Sequence, residues 1–62
     1  MDVQIETGVG VETFTMDEQH GRWQCARELP EGDFPLIRMV NGKRYELYSD
    51  GTFAEVEVGG RN

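Results

Sequence analysis

Cys25 and His20 are the residues of this chain whose types could make a nucleophile and its base, and each is the only one of its kind. They stand five positions apart across the end of a predicted strand. Nucleophilic catalysis would also need hydrogen-bond reach between them, donors for an oxyanion and a shaped cleft, and the neighbouring sequence supplies none of these. Cys25 is therefore expected as a structural side chain on the face that carries Trp23, and His20, beside Gly21, as a solvated turn residue. Asp17, Glu18 and His20 place three metal-binding side chain types within four positions, but adjacent polar residues of this kind ordinarily serve the turn itself. One cysteine and one histidine cannot complete a zinc site or an internal disulfide. Gly8-Val9-Gly10 lacks both the rest of a dinucleotide fingerprint and a following helix, so it is no phosphate loop. The chain is expected to be non-enzymatic, with no catalytic residue, cofactor or metal.

The carboxylates are the larger chemical resource. Twelve Asp and Glu face six Lys and Arg, a net charge of −6, and residues 1–21 carry five of the acids with no Lys or Arg at all. Such a balance repels nucleic-acid phosphates and favours a partner with a basic surface. Direct DNA or RNA binding is not expected. Glu12, Asp17, Glu18, Glu31, Asp33, Glu55 and Glu57 are the residues assigned to an acidic docking surface. Glu55 and Glu57, on one strand face, would stand ~6.6–6.8 Å apart. Carboxylates so spaced could imitate a nucleic-acid backbone; the plainer alternative is a surface charged for solubility.

Positioning these groups requires a fold, and 62 residues allow one small domain, here 1–62. No apolar run approaches the ~18 residues of a membrane helix, and the N-terminus has no secretory signal pattern, so an intracellular, cytoplasmic address is expected. Odd positions from Val3 to Thr15 are all Val, Ile or Thr, the period of a strand, with Gly8 and Gly10 marking either a bend in one long strand or a hairpin. Asp17 to Gly21 reads as a polar turn, with one short helical turn allowed around Met16 to His20. Arg22 to Glu28 alternates, with Trp23 and Cys25 on one side. Pro30 to Pro35 reads as a loop, because two prolines and a glycine exclude helix and central strand. Residues 59–62 read as a frayed tail.

The C-terminal half fixes register. Asn41-Gly42 as a two-residue type I′ turn pairs Val40 with Lys43, Arg38 with Tyr45 and Leu36 with Leu47. The same treatment of Asp50-Gly51 pairs Tyr48 with Phe53, Leu47 with Ala54, Tyr45 with Val56 and Lys43 with Val58. Arg44 then lies opposite Glu57, and Ile37, Met39, Tyr48 and Phe53 form an apolar set on the face away from the core. A three-residue Ser49-Asp50-Gly51 loop is the alternative, and it would bring Phe53 to the core side. In either register Lys43 and Arg44 point to opposite faces, so Lys43-Arg44-Tyr45 is a strand segment and not a basic patch.

The expectation is an all-β, single-domain antiparallel meander or SH3-like partly closed barrel of about five short strands. Its expected function is that of an acidic protein-binding module, in its sharper form an inhibitor or adaptor encoded by a virus or mobile element and docking on a nucleic-acid-processing protein. The alternative is a structural subunit that oligomerises through sheet edges, and a third reading is a nucleic-acid-binding β-barrel. If Ile37, Met39, Tyr48 and Phe53 stay exposed, they predict a homodimer or a protein partner.

Overall fold

The computed structural model describes residues 1–58, so the expected tail at 59–62 lies outside the described residues. Six strands follow one another: β1 (Asp2–Thr7), β2 (Gly10–Asp17), β3 (Arg22–Cys25), β4 (Leu36–Val40), β5 (Lys43–Leu47) and β6 (Phe53–Glu57). They form two three-stranded antiparallel meanders, β1-β2-β3 and β4-β5-β6, neither of them closed. Among the described residues there is no α-helix, and no helix long and apolar enough to cross a membrane. In place of the helical turn allowed at Met16 to His20, β2 continues through Asp17 and a plain turn follows it. A short 3-10 turn occurs instead inside the proline loop, at Glu31–Asp33.

The first meander turns on Gly8-Val9. Thr7 pairs with Gly10, Ile5 with Glu12 and Val3 with Phe14. The Thr7 hydroxyl donates to the Gly10 carbonyl at 2.7 Å and accepts the Val9 N–H at 3.2 Å, while Gly10 sits at φ +117. A two-residue loop sets odd positions opposite even ones, so the inward parity switches between the strands. Val3 and Ile5 point inward from β1 and Phe14 and Met16 from β2, whereas Val11 is 63% exposed. The run of odd-numbered β-branched residues is thus not one face.

The second meander keeps the register expected from Asn41-Gly42. Both turn residues have positive φ, 50° and 79°, as a type I′ turn requires, and Leu36 lies opposite Leu47, Arg38 opposite Tyr45 and Val40 opposite Lys43. Gly42→Ala should cost about 1–2 kcal/mol, because a Cβ is strained at that φ, and the shift of the urea midpoint measures it.

The second turn departs from the two-residue assignment. It is the three-residue loop Ser49-Asp50-Gly51: the Tyr48 N–H donates to the Thr52 carbonyl at 2.9 Å and the Gly51 N–H to the Tyr48 carbonyl at 3.0 Å. The Asp50 carboxylate accepts the Thr52 hydroxyl at 2.6 Å and the Thr52 N–H at 3.0 Å, bonds that hold its pKa below the usual carboxylate value. One extra loop residue slips every β6 pairing by one. Leu47 faces Phe53, Tyr45 faces Glu55, Lys43 faces Glu57 and Arg44 faces Val56, not Glu57. Phe53 therefore belongs to the core side, and Ala54 and Val56 turn outward.

The meanders pack face to face around one cluster: Val3, Ile5, Phe14 and Met16 from the first, Leu36, Tyr45 and Leu47 from the second. Phe14 and Leu47 are fully buried. One corner is also joined by backbone hydrogen bonds, the Trp23 N–H to the Gly51 carbonyl at 2.9 Å and the Phe53 N–H to the Gly21 carbonyl at 3.0 Å, on either side of an Arg22–Thr52 bridge. Trp23 locks this corner. Its ring stacks on Phe34 and meets Phe14 edge-on, both at 5.3 Å, and its indole N–H donates to the Tyr48 carbonyl at 2.9 Å.

Candidate functional site

The structure keeps Cys25 and His20 apart. Cys25 is half-buried opposite Phe14, three strand pairings from Asp17 and so roughly 10 Å from the turn that carries His20. His20 is held by its own turn: its Nδ1 lies 2.8 Å from an Asp17 carboxylate oxygen. That bond depresses the Asp17 pKa. No group of three His, Cys, Asp or Glu arranged for a metal ion occurs among the described residues. Thr13, Thr15, Gln24, Cys25 and Ala26 line a shallow depression on the first meander, open to solvent.

Five of the seven assigned acids divide between the two ends of β2; Glu55 and Glu57 lie on β6. At the start of β2, Glu12 receives the Arg27 guanidinium at 3.0 Å, and Asp33, in the same 3-10 turn as Glu31, lies against Gly8. One Asp33 carboxylate oxygen is buried there with no hydrogen-bond partner. At the other end Asp17 and Glu18 enter the turn. Glu18 reaches the second sheet, where it accepts the Tyr45 hydroxyl at 3.4 Å.

Three of the acids, Glu18, Glu55 and Glu57, come together around Tyr45. The observed register sets Arg38, Tyr45 and Glu55 in one inward-facing row across the sheet and Val40, Lys43 and Glu57 in the next. Tyr45 buries its ring, 3% exposed, and sends its hydroxyl to the rim. Burial raises the Tyr45 pKa first, and the negative charges of Glu55 and Glu18 add to it. Lys43 bonds Glu55 at 2.8 Å, which raises the Lys43 pKa. This rim is acidic on balance and mixed in detail, with Lys43 and Arg38 set among the carboxylates.

On the far side of the same sheet, Ile37 and Met39 are 48% and 50% exposed and Tyr48 is exposed as well. Phe53, grouped with them on sequence, is instead packed against the core, its ring 5.9 Å from Tyr45. Val56 takes its place outside. Sequence reasoning missed Val56 and the Glu18–Tyr45 contact. The three-residue loop was the signal for the first; no local signal announces a contact across 27 positions.

No protein-family model matches this chain, and neither a curated protein nor a solved structure shows a significant match.

Proposed function

We propose that this protein is a non-enzymatic acidic binding module that docks on a basic surface of a partner protein, through the carboxylates around Tyr45. The observation that carries this reading is the negative charge left after folding. Glu12, Glu46 and Glu55 bind Arg or Lys, and Asp17 binds His20; the other eight of the twelve carboxylates make no ion pair among the described residues. Like charges held on so small a body repel one another, and a cationic partner surface relieves that repulsion while steering association. Glu18 and Glu57 belong to this unpaired set: Glu18 bonds the Tyr45 hydroxyl, and Glu57 lies in the register row next to that of Tyr45.

In its sharper form the partner is a nucleic-acid-processing protein whose phosphate groove the carboxylates enter, as a viral or mobile-element inhibitor or adaptor would. The Lys43–Glu55 bond sets a cation within the β6 carboxylate row, so the reading leans on the unpaired acids and not on the Glu55–Glu57 spacing. In fold terms we read the bonded corner, with β1 beside β4, as an SH3-like arrangement open along one side.

A fluorescent octa-arginine peptide tests the site. The Glu18→Gln, Glu57→Gln double variant is expected to weaken peptide binding roughly tenfold at low salt, and the isocharged control Glu6→Gln, Glu28→Gln by about twofold or less. Equal losses in the two would mean that net charge alone binds the peptide, and the site assignment would fall.

A further inference from the structure

We propose that the outer face of the β4-β5-β6 sheet is a contact surface for a second copy of this chain, related by a two-fold axis. By register this face presents Ile37 and Met39 on β4, Arg44 and Glu46 on β5, and Ala54 and Val56 on β6. Ile37, Met39 and Val56 are 48%, 50% and 39% exposed, a large apolar share for one face of so small a sheet. Its two charges cancel: Arg44 and Glu46 bond each other at 3.0 Å.

Charge decides the occupant. In a chain of net charge −6, this face is neutral and carries one cation and one anion side by side along the central strand. A basic partner gains nothing here that the acidic rim does not offer more strongly. A nucleic acid needs cations, and the one cation this face presents is already bonded to Glu46. A second copy, turned end for end, places Arg44 of one chain on Glu46 of the other and closes apolar edge strands on apolar edge strands, the self-complementarity that a two-fold contact demands. The rim around Tyr45 lies on the opposite side of the sheet and stays open in such a pair.

Three strands of five residues offer a patch of roughly 14 by 17 Å. That is well short of the ~800 Å² per partner of a standard interface, so the pair should be reversible and concentration-dependent. Sedimentation equilibrium between about 10 µM and 1 mM is expected to show monomer passing to dimer, with at least half the chains paired at the upper end. Met39→Glu should abolish the dimer, and Val11→Glu, on the outer face of the other sheet, should leave it intact; near-UV circular dichroism from Trp23 checks that both variants fold. Arg44→Glu and Glu46→Arg should each pair weakly alone and recover when mixed. A monomer at 1 mM, assemblies larger than two, loss of the dimer in Val11→Glu but not in Met39→Glu, or no recovery on mixing would each overturn the proposal.

Discussion

Phe14→Ala should remove a large share of this protein's stability. A chain of 62 residues has about 3–9 kcal/mol of stability in total, at the ~0.05–0.15 kcal/mol per residue of ordinary domains. Removing a buried phenylalanine ring costs about 3–5 kcal/mol, part of it lost transfer energy and part the cavity left behind. Phe14 is fully buried, pairs with Val3 on one side and Cys25 on the other, and touches the Trp23 ring edge-on, so little around it can collapse into the gap. Leu47, the fully buried residue of the other sheet, should behave alike, with about 2–5 kcal/mol lost in Leu47→Ala. The Trp23 near-UV signal followed through a urea titration measures both losses. Val11→Ala, at an exposed position, should stay within about 0.5 kcal/mol of the parent, and a comparable loss there would refute this picture of the core.

The next largest effect should come from alkali. The Tyr45 pKa is raised in the fold, chiefly by burial and then by Glu55 and Glu18, so the folded chain keeps a proton that the unfolded chain gives up. Stability from this source is fully present below the unfolded tyrosine pKa of about 10 and is lost as pH rises through the higher folded value. Lys43, its pKa raised by the bond to Glu55, loses its contribution in the same direction, beginning near the lysine value of about 10.4. The urea midpoint should therefore fall steeply above about pH 10. Tyr45→Phe cannot ionise, and the fall should be clearly shallower in that variant. Tyr48→Phe removes an exposed hydroxyl whose pKa is raised mainly by its bond to Glu46, and should flatten the curve less. Identical slopes for Tyr45→Phe and the parent would show that Tyr45 is not the buried proton holder.

The Asn41-Gly42 hairpin is legible because its turn demands positive φ at both positions, and few sequences meet that demand. Asp50-Gly51 is ambiguous because the same dipeptide closes two-residue and three-residue loops. What separates the two lies outside the turn: only the longer loop sets the Phe53 ring against Tyr45, and burying a phenylalanine is worth more than burying Ala54 in its place. In the N-terminal half, β-branched residues continue through the turn and hide the change of parity. Phe14 and Met16, which break the alternation, are the core positions of β2. The acids are legible as a total but not as a site. Glu18 meets Tyr45 only after the two sheets pack, and Glu55 meets Lys43 only once the β6 register is known.

The two meanders have a kinetic consequence. Each ladder joins strands adjacent in the chain, whereas the packed core, the corner that joins Trp23 to Gly51 and Phe53 to Gly21, and the Glu18–Tyr45 contact form only when the two sheets meet. Hairpins of this kind close short loops at small entropic cost and form in about 1–10 µs, so each sheet can zip by itself. The slow event is then the docking of one sheet on the other across the 26–35 loop. Trp23 sits at that junction, so its fluorescence should report the docking step after hairpin formation is complete.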